Sequence, residues 1–169
     1  MSAETTSGAI VGGVHVYPLR VYFEDTDTAG VVYYANYLKY AERARTEMLR
    51  TLGVPHAAMM AGDGLTFAVR RCEADYLRPA HLDDALQVHT SGIALEAASL
   101  WADQVVMRRD ETLVRMRLRL ACLGEGGRPA RLPPALRTAL RPLLRDGGRG
   151  GFAEQYGIRN RTYAWNQTP

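Results

Sequence analysis

Hydrophobic and polar residues follow two different rhythms along this chain. Between positions 35 and 52 apolar side chains recur every three or four residues, which predicts one amphipathic helix. Its apolar stripe consists of Tyr37, Ala41, Ala44, Met48 and Leu52, and the charged residues Glu42, Arg43, Arg45 and Glu47 occupy the opposite face. Gly53 and Pro55 follow, so we expect the helix to end there.

An alternation of period two predicts strands on both sides of this helix. The clearest case is 112–123, where Arg115, Arg117 and Arg119 alternate with apolar residues. Further strands are expected at about 16–23, 65–77, 85–95 and 98–109. The short breaks between the last four strands favour an antiparallel meander. One strand, one long helix and four more strands predict an α+β domain whose sheet covers the apolar stripe of the helix.

The two ends of the chain depart from this regular pattern. Residues 1–13 are small and polar, and we expect a loose lead-in there. A short helix is predicted at 135–141, and the glycines that begin at 147 are typical of a flexible linker. We therefore expect one domain over 1–146 and a flexible C-terminal tail over 147–169.

The formal net charge of +3 conceals two oppositely charged parts. Residues 1–125 carry 13 Lys and Arg against 16 Asp and Glu, whereas residues 126–169 carry eight Arg against two acidic residues. The pI near 9.0 thus arises from the last quarter of the chain, which argues against a nucleic-acid-binding domain. With no long apolar run and no evident signal peptide, we expect a cytoplasmic protein without stable membrane insertion.

The segment 22–37 concentrates the residues that are able to do chemistry. A strand delivers Asp25 and Asp27 into a turn, and the turn leads to the helix N-terminus, where free N–H groups and the positive dipole end lie. A carboxylate beside such donors can attack a carbonyl or activate a water, which suits acyl transfer or hydrolysis. The same spacing fits helix capping, and an Asp-x-Asp pair also fits a Mg²⁺ site. The local pattern leaves these alternatives open.

A resemblance to a known family bears on that choice. Across 16–140 the sequence resembles the hotdog-fold acyl-CoA thioesterases of the 4-hydroxybenzoyl-CoA thioesterase group, and most closely their Tol-Pal-associated branch. The stretches that carry the resemblance are 20–27, 30–33, 40–50, 67–70 and 76–84. It implies a hotdog fold, in which a curled antiparallel sheet of about five strands wraps around one long central helix. It also implies hydrolysis of short-chain or aromatic acyl-CoA thioesters to free acid and CoA.

The resemblance assigns roles to individual residues. Asp27 matches the catalytic carboxylate, the Tyr34 backbone N–H matches the oxyanion donor, and Gly30 allows the close turn between them. No metal or prosthetic group is expected, because the histidines and cysteines are scattered without a ligand pattern. Dimers paired into tetramers are implied, with sites between subunits, and lipid-synthesis or envelope proteins are candidate partners.

The expected substrate-binding residues are Tyr33, Arg70 and Arg71. Other arginines that suit the phosphates of CoA are Arg108, Arg109 and the row Arg115, Arg117 and Arg119. Two positions depart from the family pattern. Tyr34 stands where the Tol-Pal branch commonly has His, and Glu96 stands where relatives often carry a basic residue. Both departures favour an alternative, a non-catalytic acyl-binding or scaffold module associated with cell-envelope or lipid-synthesis proteins.

Overall fold

The computed structural model describes residues 7–144, in which a six-stranded antiparallel sheet packs around one long helix. The strands are β1 (Ala9–Val11), β2 (Val14–Arg20), β3 (Thr66–Tyr76), β4 (Ala85–Leu95), β5 (Ser99–Arg108) and β6 (Glu111–Leu123). The helices are α1 (Asn36–Thr51), α2 (His56–Asp63) and α3 (Pro134–Ala139), and short 3-10 turns cover Phe23–Asp25, Glu125–Gly127 and Arg141–Leu143. The α+β class predicted from the sequence is confirmed.

The order of the strands in the sheet is β1-β2-β4-β5-β6-β3. β4, β5 and β6 form the expected meander, but the prediction that β3 belongs to it is wrong. β3 pairs with β6 at the far edge of the sheet, where Val69 lies opposite Leu120 and Cys72 opposite Leu118. This register places the apolar row of β3 beside the apolar row of β6, which explains why β3 pairs there rather than with β4.

The helix α1 forms where the periodicity predicts it and buries four of the five residues of the predicted stripe, because Leu52 lies just beyond its last turn and is half-buried. Tyr37, Ala41, Ala44 and Met48 are all buried, and α1 packs mainly against β4 and β2. One residue of the predicted polar face is different. Arg45 is only 9% exposed, because it lies one helical turn from both Ala41 and Leu49 and so shares their buried face. The polar face of α1 is therefore narrower than the sequence indicated.

Three segments differ locally from the predictions. The expected lead-in contains β1, which is joined to β2 by Gly12 and Gly13, both at positive φ as a tight hairpin requires. The first long strand ends at Arg20 rather than at position 23, because a 3-10 turn follows. The glycine-bearing loop after α1 contains α2. The predicted tail 147–169 lies outside the described residues, and the domain limits stay a prediction.

No helix in the described range 7–144 is long and apolar enough to cross a lipid bilayer. Within that range, no group of three or more His, Cys, Asp or Glu side chains is placed to hold a metal ion. The residues that bear on function are instead found between β2 and α1 and along β3.

Candidate active site

Asp27 lies on a tight hairpin between β2 and α1. Its N–H donates to the Val31 carbonyl at 2.9 Å, and the Gly30 N–H donates to the Asp27 carbonyl at 3.0 Å. Gly30 has a φ of +76°, a conformation that costs a residue with a Cβ about 1–2 kcal/mol. The turn therefore forms here because glycine occupies its last position, and it places Asp27 at the tip.

The Asp27 carboxylate is oriented by its own turn and is open to solvent. Its Oδ1 accepts a hydrogen bond from the Ala29 N–H at 2.8 Å, and the side chain is exposed. Within residues 7–144, Oδ2 accepts no hydrogen bond from the protein. One carboxylate oxygen is thus fixed, while the other is available to a water or a substrate carbonyl.

Asp25 holds the hairpin in place and is itself buried, with 7% exposure. Its Oδ2 accepts from the Tyr22 N–H at 2.8 Å, and its carbonyl accepts from the Tyr33 N–H and the Asn36 side chain, both at 2.9 Å. These bonds connect the 3-10 turn to the first residue of α1. The two carboxylates of the motif therefore differ in exposure, since Asp25 is buried and Asp27 is open to solvent.

The backbone N–H of Tyr34 is the second group in this segment that can take part in chemistry. It donates no hydrogen bond to any group in the described part of the chain, and α1 begins two residues later. α1 has no side-chain cap and no acidic residue in its first turn, so the positive end of its dipole is uncompensated. The bridge between Thr26 and Val32 pairs the two arms of the hairpin, so Asp27 and Tyr34 lie on opposite arms of it.

A cluster of tyrosines fixes the Tyr34 backbone. The Tyr76 hydroxyl donates to the Tyr34 carbonyl at 3.2 Å, and the rings of Tyr33 and Tyr34 lie 4.8 Å apart. The Tyr34 hydroxyl beside it raises the pKa of Tyr33, and burial raises the pKa of Tyr76, so both hydroxyls stay protonated at neutral pH. Sequence reasoning missed Tyr76 as a site residue, although it begins the resembling stretch 76–84.

Arg70 and Arg71 lie in the middle of β3, away from the Asp27 hairpin. Arg71 pairs with Glu73 at 2.6 Å, and Arg70 occupies a break in the β3–β6 register. In the part of the chain that the structure describes, neither has a hydrogen bond or ion pair with residues 22–34. The structure brings Tyr33, Gly30 and Asp27 together, and it does not bring these two arginines to them within one chain.

The outward row of β6 is largely engaged by its own neighbours. Arg119 pairs with Glu96 at 2.6 Å, Arg117 lies 3.7 Å from Asp103, and both guanidinium groups stack on Trp101. Hydrogen bonds from the Ser99 hydroxyl and from Arg119 hold the pKa of Glu96 below its usual range. Glu96 is thus the counter-ion of Arg119. The acidic residue at position 96, where relatives often carry a basic one, neutralises charge within this row of arginines.

A basic groove begins directly after Tyr76, where β3 ends and β5 turns into β6. This open groove has a volume of about 940 Å³, and its lining includes Arg78, Arg109 and Arg115 beside Asp110 and Glu111. Arg78 pairs with Glu111 at 3.2 Å. Arg108 at the same place is held by Asp84 at 2.7 Å and by Glu111 at 2.6 Å. The groove adjoins the tyrosine cluster through the end of β3.

β3 is an edge strand whose apolar face is only partly covered, by α2, where the His56 ring lies 6.0 Å from the Phe67 ring. Nine of its eleven residues are exposed. Val69 is 51% and Tyr76 is 45% exposed, although both point to the same side of the sheet as the core residues of β6. A long unpaired edge with apolar side chains is a surface for pairing with another strand.

The chain is similar to known thioesterases over most of its length. The family model described as the thioesterase-like superfamily matches residues 21–140. The acyl-CoA thioesterase YbgC of Haemophilus influenzae is 38% identical over 128 residues, which cover 75% of this chain and 94% of that protein. The acyl-CoA thioester hydrolase YbgC of Escherichia coli O157:H7 is 43% identical over 98 residues, 58% of this chain and 72% of that one. The structure of a probable thioesterase from Bartonella henselae has a TM-score of 0.68 and 37% identity, covering 71% of this chain and 99% of its own.

Proposed function

This chain belongs to the thioesterase-like superfamily and has its hotdog fold, and from that membership we propose that it hydrolyses acyl-CoA thioesters to free acid and CoA. The observation that carries the proposal is the pairing of Asp27, whose carboxylate has one free oxygen, with the Tyr34 N–H, which has no acceptor among residues 7–144. One group supplies the nucleophile or base, and the other receives the charge that develops on the carbonyl oxygen.

The reaction follows from these two groups. The thioester carbonyl oxygen accepts from the Tyr34 N–H, and the positive end of α1 stabilises the oxyanion. The Asp27 carboxylate either attacks the carbonyl carbon, forming a mixed anhydride that water then hydrolyses, or removes a proton from the attacking water. The leaving thiolate has a pKa of about 8.5, so its departure needs little help from an acid.

Asp27→Asn tests this proposal by release of free thiol from short-chain and aromatic acyl-CoA esters. We expect a loss of at least about 100-fold in kcat, the scale of one catalytic group. Asp63→Asn is the matched control, because Asp63 is an exposed carboxylate at the end of α2. Near-normal turnover by Asp27→Asn would remove Asp27 from the mechanism. Binding of acyl-CoA without thiol release from any ester would favour the acyl-binding module instead.

The nucleotide end of CoA fits the basic groove next to Tyr76. Arg78, Arg109 and Arg115 line it, and guanidinium groups suit phosphate oxygens. Arg109→Met is expected to raise the KM for acyl-CoA and to leave kcat nearly unchanged, because the phosphates are bound equally in the ground and transition states. Arg70 and Arg71 stay predicted phosphate ligands, and a change in KM on replacing them, with Arg109→Met silent, would favour them over the groove.

The exposed edge of β3 fits a second copy of this chain. The strand is centred on Arg71, so antiparallel pairing of two full β3 strands places Tyr76 of one copy opposite Thr66 of the other. The two Cys72 side chains then lie diagonally, about 7–8 Å between their Cα atoms. A homodimer is therefore part of the proposal. Tetramer formation, envelope partners of the Tol-Pal type and a cytoplasmic location stay predictions from the sequence.

Native cysteines offer a direct test of this pairing. Cys72 is exposed and Cys122 is buried. A short bifunctional thiol reagent is expected to join two chains through Cys72, giving twice the 18.7 kDa chain mass on a denaturing gel. Cys72→Ser is the control that abolishes the product. Sedimentation of the unmodified protein as a monomer at micromolar concentration would contradict the pairing.

A further inference from the structure

A cavity lies between the second half of α1, α2 and the β3 side of the sheet. Its volume is about 200 Å³, and most of its wall is apolar. The apolar lining includes Phe67, Val69, Leu100, Leu120, Leu136 and Leu140. A cavity of about 150 Å³ between aliphatic side chains is enough to hold benzene, so this one accepts an aromatic ring or a short chain.

Arg45 is one of four polar residues in this wall, with Glu42, Thr46 and His56, and it is the one cation among them that stays charged at neutral pH. Burial lowers the pKa of its guanidinium, and no carboxylate of the described residues lies within 4.0 Å of it. Its Nη1 donates to the Gln104 Oε1 at 2.7 Å. Gln104 is itself held, since its Nε2 donates to the Ala41 carbonyl and to the Thr90 hydroxyl, both at 2.9 Å. The guanidinium is therefore fixed in orientation by a neutral partner.

Most of the donor capacity of Arg45 is unused among residues 7–144. A guanidinium carries five N–H donors, and Gln104 is the one acceptor that it meets among residues 7–144. None of the Arg45 nitrogens is among the fully buried atoms that lack a partner in the described residues, so its unused N–H groups are accessible where Arg45 lines the cavity. An oxygen that enters the cavity can accept a hydrogen bond from them. The nearby Glu42 attracts Arg45 electrostatically without bonding to it.

We infer that Arg45 is a specificity-determining residue that donates to an oxygen at the remote end of the acyl group, so that the protein prefers acyl groups carrying a hydroxyl or carboxylate there. This inference rests on the proposed thioesterase function. Both chemistries supply an acceptor oxygen, and an unsubstituted acyl group of the same size supplies none. The apolar wall binds the body of an acyl group whether or not it carries such an oxygen. Arg45 therefore discriminates between oxygen-bearing and unsubstituted acyl groups.

The position of the cavity agrees with the proposed pairing of two copies. Within one chain, Arg45 lies nine residues after the first residue of α1, about 14 Å along the helix axis. Across an antiparallel β3 pair, the Phe67 end of one copy lies beside the Tyr76 end of the other. A short acyl group held at Asp27 of one copy is thus expected to enter the cavity of the second copy.

Matched substrate pairs test the inference. The ratio of kcat/KM for 4-hydroxybenzoyl-CoA over benzoyl-CoA, and for succinyl-CoA over butyryl-CoA, is measured in wild type and in Arg45→Met. We expect one or both ratios to fall about 10- to 100-fold, the range for a hydrogen bond to a charged group. A ratio of two esters does not depend on how much of the enzyme is folded. The pair that responds identifies the preferred oxygen.

Two further variants complete the design. Arg45→Lys keeps the charge but loses the planar fork, so it is expected to recover only part of the selectivity. Arg43→Met is the matched control, because Arg43 is an exposed arginine on the same helix, and its ratios should equal those of wild type. Unchanged ratios for both pairs in Arg45→Met would overturn the inference while leaving the thioesterase proposal intact.

A binding measurement separates the two proposals if no ester is hydrolysed. Calorimetric titration with 4-methylphenol and toluene, which differ by one hydroxyl and carry no other oxygen, reports on the cavity without any turnover. Tighter binding of 4-methylphenol, lost in Arg45→Met and kept in Arg43→Met, supports the role of Arg45 even though the thioesterase proposal has failed. Equal binding of the two compounds to wild type overturns it.

Discussion

Replacing Gln104 by Leu tests whether the buried polar bridge between α1 and the sheet stabilises the protein. Gln104 is fully buried and makes three hydrogen bonds, one accepted from Arg45 and two donated to the Ala41 carbonyl and the Thr90 hydroxyl. Leu has a similar size and makes none of them. The substitution therefore leaves a buried guanidinium without its acceptor and two buried oxygens without their donor.

The expected loss follows from these three bonds. A hydrogen bond to a charged group contributes about 1.5–3 kcal/mol, and each neutral one about 1 kcal/mol. The apolar replacement offsets about 1–2 kcal/mol of this by burying carbon in place of an amide. We therefore expect the free energy of unfolding to fall by about 2–4 kcal/mol. Urea denaturation at one fixed protein concentration measures it, because pairing of copies would make stability depend on concentration.

A control and a double-mutant cycle make this prediction specific. Gln87→Leu on β4 is the control, since Gln87 is exposed, and we expect a change within about 0.5 kcal/mol. The cycle of Gln104→Leu with Arg45→Met should give a coupling energy of at least about 1 kcal/mol. A loss below about 1 kcal/mol for Gln104→Leu, or a coupling near zero, would refute the idea that Gln104 fixes Arg45.

Two other predictions concern a backbone turn and a charge. Gly30→Ala is expected to lower the free energy of unfolding by about 1–2 kcal/mol, because φ is +76° although a Cβ there has open space. Gly8→Ala at φ +81° should lower it by more, because its Cβ meets the Val16 carbonyl oxygen. Thermal melts compare the two variants. Burial opposes ionisation of Asp84, but hydrogen bonds from the His81 N–H and Arg108 outweigh it and hold its pKa below its usual range. The ionised Asp84 therefore stabilises the fold above about pH 4, and this contribution is lost as pH falls through its lowered pKa. Asp84→Asn should accordingly flatten the acid limb of a plot of unfolding free energy against pH. An unchanged acid limb would contradict this.

Most of the fold was predictable because its long elements have clean periods. The four strands after α1 were placed to within one or two residues of their observed limits, and the alternation in β6 matches its burial. The partner of β3 was not predictable in the same way. A strand's period shows which side chains share a face, but it does not say which other strand lies beside it. β1 and α2 were missed because three and eight residues are too short to show a period.

In the candidate site too, the local features were predictable from the sequence and the long-range contacts were not. The segment from Asp25 to Tyr34 is local, and its turn chemistry, its glycine and the following helix are all visible in sequence order. Tyr76 and the buried position of Arg45 depend on contacts across more than 30 residues, which no local pattern reports. A charged residue is also normally exposed, so the sequence assigned Arg45 to the solvent face. Its spacing of four from Ala41 was the available signal.

The exposed β3 and the buried Arg45 invert the usual distribution of residues, and both lie beside the same cavity. Val69 and Tyr76 are apolar yet about half exposed, whereas Arg45 is charged and buried with one neutral acceptor in the described chain. A single copy thus leaves apolar surface in water and a cation whose unused donors are accessible at the cavity. Pairing with a second copy shields the exposed β3, and an oxygen on the acyl group accepts a hydrogen bond from Arg45. Cross-linking through Cys72 tests one requirement and substrate selectivity tests the other, so either can fail without the other.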